Sequence, residues 1–434
     1  MKRIILFMLL AVVGFIAFKV FWSFYFSEPI DTTISVSDSL RRQAMAESRF
    51  AFRLYSFQAE EMGESGNILL APTTVYQTLA PLAAGSTNQT HKQMTTALEI
   101  SDWTPAIQQG FSDLRQTRSR LRHWYQINEA SSAWIDQSVL VCPGYTKTLS
   151  EVFGIAVKRF DIKGQPAKAQ KQMADWITQT SQGRIQYVPQ LDKAQDTAMI
   201  LFSSIYFQSH WKNRFQPAKP FPFISQKGQK INWPFLEFDL EKASPDPLAY
   251  YEDELIQAVF LPFAPVGYRT DYEFVILLPQ KIEQTSELER RLDSTYWQTI
   301  LNSRSYRSGL VRIPRFSLSK TESLKPTLQK AGITDCFDPD RADFSLITEN
   351  SPLWIDQFVT DVRLDVTETG VEAAAVSFIA TAECVQDEQG PFQFSATHPF
   401  LFLLREVQTD SILFIGRFSP EEGTETSLTG NGDY

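Results

Sequence analysis

Residues 368–399, reading ETGVEAAAVSFIATAECVQDEQGPFQFSATHP, constrain this chain more than any other stretch. Apolar segments bracket it, Phe358–Val366 before and Phe400–Phe418 after. Its first half is small and apolar, with Ala373, Ala374 and Ala375 following Gly370; its second half turns polar and acidic at Asp387 and Glu388. Successive strand side chains point to opposite faces. Counted in twos, Val371, Ala373, Ala375, Ser377, Ile379 and Thr381 carry no charge, while Glu372 falls with Ala374, Val376, Phe378, Ala380 and Ala382. One face is therefore fit to lie on a core. Alanine is nevertheless a poor strand former, and Gly370 loosens the start. The segment can become a strand without being committed to one. The plain alternative is an Ala-rich strand or helix followed by a loop.

At 434 residues the chain exceeds the usual single core of ~250–300 residues, which predicts two domains or one large elongated domain. Its 33 Phe and 9 Trp supply ample core. A net charge of −9, with no basic stripe, excludes a nucleic-acid partner. Cys142, Cys336 and Cys384 cannot all pair, which excludes a disulfide scaffold. Cys142 and Cys336 stand in apolar surroundings and are expected to be buried thiols.

Residues 1–27 read as a membrane signal. Lys2 and Arg3 precede the apolar run Ile4–Phe18, and after Lys19 the run resumes from Val20 to Phe26. The first run alone suits a signal-peptide core, whereas residues 4–26 together can cross ~30 Å of hydrocarbon. With no small-residue cleavage pattern after the apolar core, an uncleaved signal-anchor is the favoured reading and a cleaved signal peptide the alternative. Both place the remainder outside the cytoplasm, because the positive residues stay inside. Residues 28–39 read as a polar linker and 421–434 as a disordered, Gly-, Thr- and acid-rich tail.

Between them, apolar spacing predicts helices over Leu40–Glu61, Thr73–Ala84 (kinked by Pro81), Met94–Ile100, Ile107–Leu121, Lys168–Gln182 and Leu324–Ala331. Asn67–Pro72 reads as a short apolar break. Strands are predicted at Ser132–Val141, Ala198–Phe207, Leu255–Pro262, Tyr272–Pro279, Leu310–Leu318 and Phe358–Val366, with Phe400–Leu404 and Ile412–Phe418 as a closing hairpin. Helices early and strands late predict an α+β chain with large sheets and no βαβ winding.

Enzyme motifs are scarce. None of the 4 histidines belongs to an H-E-x-x-H pair, and there is no nucleophile elbow, P-loop, dinucleotide fingerprint or zinc spacing. Cys384 is a poor nucleophile candidate, since Glu383, Asp387 and Glu388 would raise a thiol pKa. His398, before Pro399, is expected to make a structural hydrogen bond. Asn88-Gln89-Thr90 matches a glycosylation sequon and is read as a chance match.

Taken together, these segments resemble the serpin family over residues 40–420. Glu368-Thr369-Gly370-Val371-Glu372-Ala373-Ala374-Ala375 is similar to the hinge of an inhibitory serpin's reactive loop, and Phe394 to Phe402 to the signature that follows it. Further matches are Asn67–Pro72, Gly85–Thr90, Trp176-Ile177, Gly183-Arg184-Ile185, Ser203–Phe207 with Trp211 and Phe215, Pro314-Arg315-Phe316, Ala342-Asp343-Phe344 and Ile415-Gly416-Arg417.

The resemblance implies a serpin fold, with helices around three β-sheets and an exposed reactive-centre loop at 368–398. It implies no catalytic residue, no cofactor, a monomer, and a serine (or cysteine) endopeptidase as covalent partner. The protease cuts the loop, is held as an acyl-enzyme, and is carried along as the upstream half enters the main sheet as a new strand. A non-inhibitory chaperone or carrier is the alternative. The family's spacing from Glu368 puts the cut at Cys384-Val385, with an unusually long return to Pro399. The sheet-opening region maps to Ala71, Thr74, Ser203, Trp211 and Thr360. It departs from the family pattern: Ala71 stands where Ser is usual, Ser203 where Asn is, and Thr360 where His is. A smaller polar cluster is therefore expected beneath the sheet.

Overall fold

A computed structural model describes residues 37–421, apart from 101–103, 126, 181–190, 192–196, 241–246, 265–270, 349–351 and 372–389. In chain order the elements begin with α1 (Asp38–Met62), β1 (Ile68–Leu70), α2 (Pro72–Ala84), α3 (Asn88–Leu98), α4 (Pro105–Tyr125), β2 (Asn128–Asp136), α5 (Pro143–Glu151), β3 (Ala156–Phe160) and α6 (Pro166–Thr180). Next come β4 (Met199–Tyr206), β5 (Ser209–His210), β6 (Gln216–Ile224), β7 (Lys230–Asp239), β8 (Leu248–Glu252), β9 (Ile256–Pro262) and β10 (Tyr272–Pro279). The chain continues through α7 (Thr285–Arg291), α8 (Ser294–Ser303), β11 (Ser305–Arg307), β12 (Gly309–Pro314), β13 (Phe316–Ser323), α9 (Lys325–Lys330) and β14 (Ile355–Val366). It ends with β15 (Gly370–Val371), β16 (Phe392–Ser395), β17 (Phe400–Glu406) and β18 (Ile412–Phe418).

Among the described residues the strands form three large sheets and one two-stranded ladder. Their orders are β1-β18-β17-β10-β9-β8-β11, β16-β12-β7-β6, and β13-β14-β4-β2-β3, with β15 paired to β5. This is the α+β architecture expected, with helices packed around three sheets, although β2 and β3 are parallel neighbours joined through α5, a βαβ crossover that the sequence reading excluded. The Ser37 side chain accepts from the Leu40 amide and starts α1, and Gly63 ends it at φ 68. All eight residues of β4 are buried because the strand is covered on both faces. Helix α2 packs beneath β4 and β2. On the other face, Met173 and Ile177 of α6 join Trp134, Phe202 and Val359 in a separate cluster. There Trp134 stacks on Phe202 at 5.6 Å, and Trp176 meets Trp134 edge-on at 6.0 Å.

The structure corrects several expectations. Asn67–Pro72 is no mere break: Ile68–Leu70 pairs with β18, Ile68 opposite Arg417. That approach needs Gly416, where a Cβ would collide with the Ile68 carbonyl oxygen. Leu310–Leu318 is two strands, not one. The chain changes sheet at Arg315, so β12 pairs with β7 and β13 with β14. The strand expected from Ser132 begins at Asn128, and the helix expected from Met94 begins at Asn88. Strand β6 was hidden by Pro217, Pro220 and Pro222, which an edge strand tolerates. Cys336 is buried, and burial pushes its thiol pKa up, but Cys142 is only half-buried at the start of α5. Asn88 donates to the Asp343 carboxylate at 2.7 Å. Nδ1 of His398 lies 3.2 Å from the Pro399 carbonyl, as expected of a structural histidine. Among the described residues no helix is long and apolar enough to cross a membrane; the segment expected to do so, 4–26, lies outside them, as does Cys384.

Candidate functional site

In the five-stranded sheet, β4 and β14 run parallel side by side, Thr360 opposite Ser203. β4 is antiparallel to its other neighbour, β2, with Ser131 opposite Ser203. Ser131, Ser203 and Thr360 thus form a row of hydroxyls across three strands. The row faces inward. Met199 and Leu201 of β4 and Phe358 of β14, which share its parity, lie in the main core.

Helix α2 meets this row from below. Thr78 Oγ1 donates to the Thr74 carbonyl at 2.7 Å and lies 3.0 Å from the Ser131 hydroxyl. Thr74 Oγ1 donates to the Ala71 carbonyl at 3.0 Å. Ala71 caps α2 without a side-chain hydrogen bond. Ser203 is fully buried, and its hydroxyl has no hydrogen-bond partner among the described residues. The structure therefore links Ala71 and Thr74 by hydrogen bonds through Thr78 to Ser131, beside Ser203 and Thr360 in the sheet, and so adds two residues that sequence reasoning missed, Thr78 and Ser131. The four-residue step from Thr74 to Thr78 along one helix face was a readable signal for the first. Finding Ser131 required the strand to start at Asn128.

Trp211 is elsewhere. It lies beyond the end of β4 and holds the chain that leaves β14. Its indole Nε1 donates to the Thr367 carbonyl at 2.9 Å, and its backbone amide donates to the Thr369 carbonyl at 3.1 Å. The Phe215 amide donates to the Glu368 carbonyl at 3.2 Å. The indole is fixed by stacking on Phe263, with centroids 4.8 Å and planes 9° apart. The Glu368 carboxylate accepts from the Ala218 amide at 3.3 Å and lies 3.5 Å from the Arg315 guanidinium.

After Glu368 the chain turns back on itself. The Thr367 amide and hydroxyl both donate to the Gly370 carbonyl, at 2.9 and 2.6 Å. Gly370 then pairs antiparallel with His210, and Val371 with Ser209. Gly370 adopts φ +145, and a Cβ there would collide with the Ser209 carbonyl oxygen, so no other residue fits without strain. Burial, and then Arg214, lower the His210 pKa and favour the neutral ring beside this ladder. The remaining expected hinge and bait residues, Glu372, Ala373, Ala374, Ala375, Cys384 and Val385, lie outside the described residues.

The family description "Serpin (serine protease inhibitor)" matches residues 45–420. Serpin A9 of Mus musculus is 29% identical over 377 residues, covering 85% of this chain and 86% of that protein. Leukocyte elastase inhibitor of Sus scrofa is 27% identical over 396 residues, covering 88% and 100%. Among solved structures, uncleaved ovalbumin superposes with a TM-score of 0.75 at 20% identity, over 87% of this chain and 99% of that one.

Proposed function

The chain belongs to the serpin family, and on that premise we propose that it is an irreversible inhibitor of an endopeptidase, acting by loop cleavage, acyl-enzyme trapping and insertion of residues 370–383 between β4 and β14. One observation carries the reading. Directly after β14 the chain reverses, and Gly370–Val371 pairs antiparallel with Ser209–His210 at the end of the seam between those two strands. A strand continued from that ladder would run down the seam and exchange one parallel ladder for two antiparallel ones.

At ~0.5–1.5 kcal/mol net per added hydrogen bond, plus buried apolar surface, such a strand makes the step strongly downhill. At ~3.3 Å per residue, its length would carry a tethered protease on the order of 45 Å. The small uncharged face from Val371 to Thr381 suits burial. The pig relative's name, leukocyte elastase inhibitor, also supports inhibition.

The scissile bond we assign is Cys384-Val385, and the target a serine endopeptidase. Cys384 would offer the protease a small, moderately apolar side chain, and Glu368, Gly370, Val371, Glu372 and Ala373–Ala375 would form the hinge. Ala71, Thr74, Ser203 and Thr360 would govern opening of the seam, and Trp211 would hold its upper end. The domain spans residues 40–420 and works outside the cytoplasm as a monomer, tethered through residues 4–26 or secreted after their removal.

The test is incubation with a panel of serine endopeptidases. Activity should be lost without recovery on dilution, and a band at the summed mass should survive denaturing electrophoresis. Clean cleavage without such a band from every protease would favour a carrier or chaperone instead.

A further inference from the structure

Resting on the inhibitory reading, we propose that Arg307 is a positioning residue for that reaction: together with Tyr250 and Phe392 it clamps the downstream base of the loop at Gly390, so that the protease meets a loop with both ends held. The upstream end is held where Gly370 pairs with His210. The chain returns to the body of the protein through Gly390 and Pro391 into β16. The strand that receives it is a slight one. β16 is four residues long and lies at the edge of its sheet, where it pairs with β12. Its first amide, that of Phe392, donates to the Ser308 carbonyl at 2.9 Å. Just before it, Gly390 turns at φ +73, in the left-handed region that favours glycine. Pro391 has no N–H, so the Gly390–Pro391 peptide can be held through its carbonyl alone. Arg307 takes that carbonyl with two donors, Nε at 3.2 Å and Nη2 at 2.9 Å.

Strand register puts the guanidinium there. β11 pairs with β8, Ser305 opposite Tyr250 and Arg307 opposite Leu248. Arg307 and Tyr250 are therefore diagonal neighbours on one face of that pair. The guanidinium carbon lies 5.3 Å from the centre of the Tyr250 ring. The same ring stacks on Phe392, with centroids 4.4 Å and planes 12° apart. Tyr250 is buried, and its hydroxyl donates to the Glu252 carboxylate at 2.9 Å. One fixed ring thus orients the arginine that holds Gly390 and packs against the first residue of β16. Paired donors on one carbonyl need the planar guanidinium; an ammonium would keep the charge and lose the fork. The limb that ends here is unusually long for the family, and a longer limb has more conformations to lose when a protease docks. Holding its base lowers that cost and leaves a larger share of the molecules ready to bind.

The test uses the full chain as wild type, Arg307→Ala and Arg307→Lys. Amide exchange read by mass spectrometry should quicken across Phe392–Ser395 in both variants and stay as in wild type across β4 and β10. Exchange in β16 equal to wild type would overturn the clamp, whether or not the chain inhibits a protease. With a serine endopeptidase that gives the denaturant-stable band, the complex should form several-fold more slowly in both variants. The stoichiometry of inhibition, which is decided after the cut, should stay at the wild-type value. Faster exchange with an unchanged rate of complex formation would make the clamp structural only and overturn its role in the reaction. A wild-type rate in Arg307→Lys, with Arg307→Ala slow, would mean that charge draws the protease to this face, and would overturn positioning. No band from wild type with any protease would overturn the inhibitory reading and the role in that reaction, while exchange in β16 would still report the clamp by itself.

Discussion

The indole Nε1 of Trp211 donates to the carbonyl of Thr367 at 2.9 Å, and this bond ties the end of β14 to the segment that follows β4. The ring is 5% exposed and stacked on Phe263. Trp211→Phe removes the donor and leaves both a gap and a carbonyl without its partner. We expect a loss of about 1–3 kcal/mol in urea unfolding of the uncut protein. An unchanged midpoint would mean that the indole does not restrain the chain at Thr367.

Gly370 holds the two-residue ladder open to no other side chain. Gly370→Ala places a Cβ against the Ser209 carbonyl oxygen at a backbone angle that L-residues rarely adopt. Amide exchange across Ser209–Val371 should speed up while exchange in α1 stays as it was. Exchange equal to wild type at those amides would contradict the pairing.

Ala373 and Ala374 separate the two faces of the inserting strand. Counted in twos from Val371, Ala373 would take the inward face of an inserted strand and Ala374 the outer face. Ala373→Arg would bury a guanidinium, costing several kcal/mol. It should turn the inhibitor largely into a substrate, read as a stoichiometry of inhibition well above that of wild type. Ala374→Arg should act much more weakly. Equal effects would mean that the faces are wrongly assigned.

Asp343 supplies a pH dependence of known sign. Hydrogen bonds from the Thr87 hydroxyl, and next from the Asn88 side chain, hold its carboxyl pKa at about 2, below the ordinary 3.8. The folded state thus favours the charged form. The stability this contributes is present above the unfolded value and is lost as pH falls from about 4 through about 2. Asp343→Asn should be less stable than wild type near neutral pH, and the gap should close toward pH ~2, read by urea unfolding across that range. A gap that does not change with pH would remove the charge from the account.

Long apolar elements were legible in the sequence. β4, β10 and the β17–β18 hairpin are largely hydrophobic runs whose residues are all buried, and α1 carries its buried stripe at helical steps. Elements whose identity depends on a neighbour were not. β1 is three residues long and is defined by its pairing with β18. β6 contains three prolines that only an edge position excuses. Arg315 looks like any strand residue, and its place between two sheets is a tertiary fact. The site divides in the same way. Ala71, Thr74, Ser203 and Thr360 could be matched to a family pattern one residue at a time. Ser131 entered only through a helix packed under a strand, whereas Thr78 stands one helical step from Thr74. Trp211 parted from the row because the chain between it and β4 runs past the end of the seam.

The most direct test of inhibition by trapping is the mass of the complex formed with a target serine endopeptidase and of the fragment released from it. The account predicts a covalent adduct equal to the protease plus the chain lacking residues 385–434, with a fragment beginning at Val385. A chain cut at that bond with both pieces recovered and the protease free and active would contradict it.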